Sequence, residues 1–202
     1  MDRKTLNIAA LSLLLIVFIG AIVFVFAKPD LPRGTTYGEP YPPAPDFTLA
    51  RANGDAFQLS AYRGDLILLF FGYTSCPDVC PTTLAELNIA LKDLKPDDAA
   101  QVKVVFVTVD PNRDTPQVTQ DYVNKFNTAF IGLSGSETEL APVWQGFGIY
   151  REIVGSESAV GYVVDHTARV TLVDRDGNLR ISFPNDIPVE DIVHDLKLLL
   201  KD

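Results

Sequence analysis

Cys76 and Cys80 are the only cysteines in a chain of 202 residues, and they fall close together in GYTSCPDVCPTTL. An ionised thiol is both a nucleophile and a soft metal ligand, so two that converge suit thiol–disulfide exchange or a soft metal such as Cu(I). So few cysteines exclude a disulfide-stapled small fold and a four-cysteine zinc site. A purely structural disulfide between them would close so small a loop that it would constrain the unfolded chain little. Pro81 suits the first turn of a helix, which puts Cys80 near the N-cap, where unpaired amides and the helix dipole favour a thiolate. Of the two histidines, His166 lies in YVVDHTARVTL at the entrance to an expected strand. The other, His194, sits beside Asp195 and off the apolar face made by Ile192, Val193, Leu196, Leu199 and Leu200, and reads as solvated. Two thiolates plus one imidazole suit copper, since sulfur holds Cu(I) and the nitrogen also tolerates Cu(II). Zinc accepts the same atoms but asks for a fourth ligand or a water.

Two further motifs carry carboxylates. VTVDPNRDTP places Asp110 at the C-terminal edge of an apolar strand, where open α/β sheets build their sites. A carboxylate there can tune a site, or it can simply open the Asp110–Pro111 turn. Arg113, Asp114 and Thr115 in the same motif read as structural. Asp174, Asp176 and Asn178 faintly resemble a calcium loop but lack its distal glutamate, so a hairpin turn accounts for them better.

The elements that must position these residues alternate between strand-like and helix-like from Asp46 onward, which predicts an α/β sandwich with parallel strands. Leu66 to Phe71 is a continuous apolar run suited to a strand buried on both faces, and Val104 to Val109, broken only by Thr108, is a second. Leu84, Leu87, Leu91 and Leu94 recur at helical spacing between them and stop at Pro96. Further helices are expected from Pro116 to Phe126 with Thr115 as N-cap, from about Glu139 to Gly146, and from Val189 to Leu200. Arg169 to Asp174 and Leu179 to Phe183 read as a hairpin around Asp176–Gly177.

Ile8 to Ala27 carries no charge over 20 residues, and such a helix spans about 30 Å, the hydrocarbon thickness of a bilayer. Arg3 and Lys4 precede it, so it predicts a single-pass anchor with the N-terminus in the cytoplasm and the rest on the extracytoplasmic, periplasmic side. A cleaved signal peptide is the alternative, though the apolar run is long for one. Lys28 to Pro45 holds six of the 14 prolines and no hydrophobic period, which reads as a tether before a domain over residues 46–202. The net charge of −9 argues against a nucleic-acid partner.

GYTSCPDVCPTTL, VTVDPNRDTP and VDHTARVTLVD, in this order after an apolar N-terminus, resemble the SCO/SenC family of copper-binding cytochrome c oxidase assembly proteins over about residues 40–200. The resemblance implies a thioredoxin-like fold, a central mixed β-sheet flanked by helices, on a membrane-anchored chain. It implies that Cys76, Cys80 and His166 ligate one copper, as Cu(I) or Cu(II), with Asp110 close by outside the ligand set. The implied activity is that of a metallochaperone rather than an enzyme, delivering copper to the binuclear site of cytochrome c oxidase subunit II. Its further partners would be a thiol reductase or an upstream copper donor. A thiol–disulfide oxidoreductase that keeps the acceptor cysteines reduced is the alternative, and a copper store without a dedicated client is a third. A peroxiredoxin fits poorly, because the threonine such enzymes carry three residues before the reactive cysteine is replaced by Pro77 or Tyr73.

Overall fold

The computed structural model describes residues 2, 3, 7, 11–19, 30–155 and 161–201. Two compact units are separated between Leu31 and Pro32. In the first, residues 11–19 are helical (α1), with exposed apolar side chains from Leu11 to Ile19. Among the described residues no helix is long and apolar enough to cross a membrane. Most of the expected span, residues 8–10 and 20–27, lies outside the described residues.

The second unit holds β1 (Thr35–Thr36), β2 (Thr48–Ala50), β3 (Ala56–Gln58), β4 (Leu66–Gly72), α2 (Val79–Lys92), α3 (Pro96–Ala99), β5 (Val102–Thr108) and α4 (Pro116–Asn124). There follow β6 (Ile131–Leu133), α5 (Glu137–Gly146), β7 (Arg151–Gly155), β8 (Tyr162–His166), β9 (Arg169–Val173), β10 (Leu179–Pro184) and α6 (Val189–Leu199). One sheet of six strands runs in the order β1-β10-β9-β4-β5-β6, and β2-β3 and β7-β8 form separate hairpins.

Strands β4, β5 and β6 are parallel, whereas β9 and β10 run antiparallel to their neighbours, so the sheet is mixed rather than wholly parallel. Strand β4 is buried at every position, as its unbroken apolar sequence requires of a strand covered on both faces. Alternation along the strand sends Phe70 to one face, beside Phe106 and, through it, Tyr122 of α4. Phe71 goes to the other, against Phe147 at the end of α5. Helix α2 contributes Leu84, Leu87, Ala90 and Leu91 to the core and contacts α6. Thr115 caps α4 by accepting from the Val118 amide, and Ser136 with Glu139 makes a reciprocal cap on α5.

The proline-rich stretch enters the folded unit at Pro32. Its amides at Arg33 and Gly34 donate to the carboxylate of Asp195 at 2.8 Å each, Thr35–Thr36 pairs with β10, and Leu179 donates to the carbonyl of Pro42 at 2.8 Å. Asp195 is wholly buried, and His194 is not solvated as expected: its Nδ1 lies 2.9 Å from Asp195 and its side chain is only 16% exposed. The buried carboxylate draws the neighbouring imidazole inward as one of its partners.

Candidate metal centre

Parallel β4 and β5 end side by side at Gly72 and Thr108, so the loops after them meet at one rim of the sheet. The first loop turns on a hydrogen bond from the Cys76 amide to the carbonyl of Tyr73 at 3.2 Å and leads into α2. Cys80 is the second residue of that helix and is completely buried, while Cys76 on the loop is partly exposed. Gly72 makes room for this packing: a β-carbon there would lie 2.8 Å from Sγ of Cys80 and 2.8 Å from the Phe106 ring. The second loop supplies Asp114, whose buried carboxylate accepts from the Thr74 amide (3.0 Å), the Thr74 hydroxyl (2.6 Å) and the Thr108 hydroxyl (2.7 Å). It therefore ties the cysteine loop to the end of β5, the structural role expected of it.

His166 stands three residues before β9, at the entrance to the expected strand, and it also closes β8, because YVVDH pairs with β7 in a hairpin of its own. That hairpin brings Nε2 of His166 to 3.8 Å from Sγ of Cys80. Nδ1 lies 3.1 Å from the carbonyl of Thr167, an acceptor, so Nδ1 carries a proton. Protonated, Nε2 is a donor toward the thiolate; neutral, it presents a lone pair to the sulfurs. The ring meets the edge of Tyr73 at 5.8 Å between centroids.

Both cysteines are free thiols, and they are not equivalent. The hydrogen bond from the Cys80 thiol holds Cys76 down to about 4 against the opposing effect of burial, with further donors at His166 and at the Asp78 and Cys80 amides. Cys80 is pushed up, first by acting as donor to Cys76 and then by its burial. The start of α2 also favours a thiolate on Cys76 rather than on Cys80, because the Cys80 amide points at Sγ of Cys76 from 3.4 Å, a smaller contribution than that of the Cys80 thiol.

Among the described residues no three His, Cys, Asp or Glu side chains already surround a common point as a finished metal cage does. The chemistry and spacing of these donors nonetheless fit a thiophilic ion. With distances of roughly 2.3 Å to sulfur and 2.0 Å to nitrogen, a metal bridges donors up to roughly 4.3 Å apart, and the Cys80–His166 separation of 3.8 Å falls within that limit. Asp110 is wholly buried, and among the described residues its hydrogen bonds go to other groups than these three. It accepts from the Tyr162 hydroxyl at 2.8 Å and pairs with Arg113. Asp174 accepts from the amides of Asp176 and Asn178 at 3.0 and 2.7 Å, which is the hairpin turn expected, far from the rim.

Tyr162 and Arg151 carry no signal in the sequence that ties them to the cysteines, and Arg113 stands in VTVDPNRDTP only as a structural residue, so the hairpin's placement reveals the connection. The pattern of the SCO1/SenC family matches residues 36–201. The SCO2-like protein of Rickettsia prowazekii is 36% identical over 148 residues, covering 73% of this chain and 72% of the relative. The apo Sco1 protein of Thermus thermophilus superposes with a TM-score of 0.76 at 37% identity, over 84% of this chain and 97% of that one. The copper-bound structure of Bradyrhizobium japonicum ScoI does so with a TM-score of 0.70 at 38% identity, over 77% and 98%. The mixed α/β fold, the rim where two thiols meet one imidazole, and these matches together place the chain in the SCO1/SenC family.

Proposed function

We propose that this protein is a membrane-tethered copper metallochaperone. Cys76, Cys80 and His166 take up one copper ion and pass it by ligand exchange to the cysteines of an acceptor, the binuclear copper site of cytochrome c oxidase subunit II. The observation that carries the reading is the approach of His166 Nε2 to Cys80 Sγ across the fold. Nothing in thiol–disulfide exchange needs an imidazole at that place, whereas a copper site of two soft sulfurs gains from a nitrogen donor. The relative from Bradyrhizobium japonicum, solved with copper bound, supports the choice of ion. Copper here is cargo, and the partly exposed Cys76 is the ligand an incoming thiolate reaches first.

Anchoring rests on the charge-free run from Ile8 to Ala27 behind Arg3 and Lys4, which would leave the domain on the extracytoplasmic side. Titration of the reduced protein with Cu(I), followed by metal analysis, tests the site: saturation near one ion per chain is expected, and the oxidised protein should bind none.

A second reading is favoured by the unequal thiols. A thiolate at Cys76 beside a protonated, buried Cys80 is the arrangement of an attacking and a resolving cysteine, which would reduce a disulfide between the acceptor cysteines.

A further inference from the structure

The β7–β8 hairpin shares no ladder with the main sheet, yet it must hold His166 at the rim to within a few tenths of an ångström for a ligand bond to form. Its side chains show how it is held. Arg113, on the loop after β5, pairs through Nε with Asp110 and donates from a terminal nitrogen to the carbonyl of Tyr162, the first residue of β8, at 3.1 Å. Its guanidinium stacks on the Tyr162 ring at 3.7 Å and lies 5.7 Å from the Tyr73 ring, which in turn touches His166. The Tyr162 hydroxyl closes the circuit on Asp110. At the other end, Arg151 stands directly opposite His166 in the β7–β8 register. It donates from Nε to the carbonyl of Val109, just past β5, and its guanidinium stacks on Trp144 at 4.7 Å.

The two arginines therefore pin both ends of the hairpin to the end of one buried strand, each by a directed hydrogen bond and an aromatic stack. We propose that Arg113 and Arg151 are positioning residues that form a clamp fixing His166 at the two thiols, and that Asp110 acts on the site through this clamp rather than by touching a ligand. The clamp is built for arginine: lysine keeps the charge but has neither the fork that serves two acceptors nor the plane that stacks. The proposal rests on His166 being a copper ligand, and its test separates the two ideas.

Arg113→Lys and Arg151→Lys are compared with His166→Ala and the parent protein, each checked for native circular dichroism. In the metal-free proteins, amide hydrogen exchange over residues 162–166 should quicken by about 10-fold or more in each lysine variant, while exchange in β4 and β5 stays as in the parent. Cu(II) affinity should fall by roughly 10- to 100-fold, the usual cost of losing a group that orients a ligand. The nitrogen coupling in the Cu(II) spectrum should weaken, and Cu(I) affinity should fall less. Should a lysine variant not fold, Tyr162→Phe, which removes only the bond to Asp110, is expected to move the same readouts in the same direction to a smaller extent. Parent-like exchange over 162–166 in the folded variants overturns the clamp whatever copper does. Parent-like Cu(II) binding in His166→Ala overturns the ligand assignment instead, and leaves the exchange result to decide the clamp.

Discussion

The backbone N–H of Cys80 points at Sγ of Cys76 from 3.4 Å. It adds to the larger effect of the Cys80 thiol, which donates to the same sulfur, so negative charge rests on the loop cysteine while the helix cysteine stays buried and protonated. Such an arrangement gives one sulfur that meets solvent as a thiolate and a second that becomes available only when its proton leaves to a metal, an oxidant or a partner thiol.

The first expected consequence is a pH dependence. Cys76 is held near 4 in the folded protein against 9.0 for a free thiol. Between those values the unfolded chain binds one more proton than the folded one, so the reduced protein gains stability as pH rises through this window and loses it as pH falls toward 4. Denaturant titrations of the reduced protein should show that slope, and Cys76→Ser should flatten it. Alkylation at pH 6 should label Cys76 well ahead of Cys80; equal labelling would contradict the asymmetry.

Cys76→Ser and Cys80→Ser should each lower Cu(I) affinity by well over the roughly 10- to 100-fold that the loss of an orienting neighbour costs, because each removes a sulfur donor outright. Competition with a chromophoric Cu(I) chelator measures this. Undiminished affinity in either single variant would show that the pair is not the site.

Gly72→Ala tests how tightly Cys80 is seated. Its β-carbon would lie 2.8 Å from both Sγ of Cys80 and the Phe106 ring, neither of which can swing away inside a packed core. A loss of about 1–3 kcal/mol is expected, with weaker copper binding as Cys80 is displaced. A variant matching the parent in thermal melting and copper affinity would mean that the core yields at this point.

Asp114→Ala should cost more, about 2–4 kcal/mol, because it strands two donors from partly buried Thr74 and one from wholly buried Thr108. For a domain of this size that lowers the melting temperature by roughly 5–15 °C. The cysteine loop should loosen as well, seen as faster alkylation of Cys80.

These residues mark where the sequence could and could not be read. LILLFF and VVFVTV are legible as central strands because burial on both faces leaves only one polar position, Thr108, to blur them, and Thr115–Pro116 fixes the start of α4 by local chemistry alone. The hairpin of β7 and β8 is not legible, since most of β7 is exposed and its periodicity is no stronger than a loop's. Strand β1 hides in a proline-rich stretch because two threonines pairing with β10 leave no pattern. The cysteine pair stands out by type and spacing, but the meeting of His166 with Cys80 is a property of the fold. The same holds for the charge on Cys76: the approach of Pro81 to a helix start predicts a favoured thiolate nearby, and only the fold, through the Cys80 thiol first and then His166 and the Asp78 and Cys80 amides, decides which sulfur receives it.

His166 separates the two proposed functions. Thiol exchange runs on the two sulfurs, and with Cys76 held ionised chiefly by Cys80 the pair should still form and break its disulfide in His166→Ala. Copper should bind much more weakly to that variant, Cu(II) suffering more than Cu(I), because imidazole matters most to the harder ion. His194→Ala should leave copper binding as it is, since its ring pairs with Asp195 on α6; some stability should be lost there instead, through the buried carboxylate. The decisive measurement is assembly of cytochrome c oxidase in cells lacking the protein, with His166→Ala expressed beside Cys76→Ser and Cys80→Ser. All three should fail if copper is delivered through the three-donor site. Full assembly with His166→Ala, alongside failure of both cysteine variants, would replace copper delivery with reduction of the acceptor's disulfide.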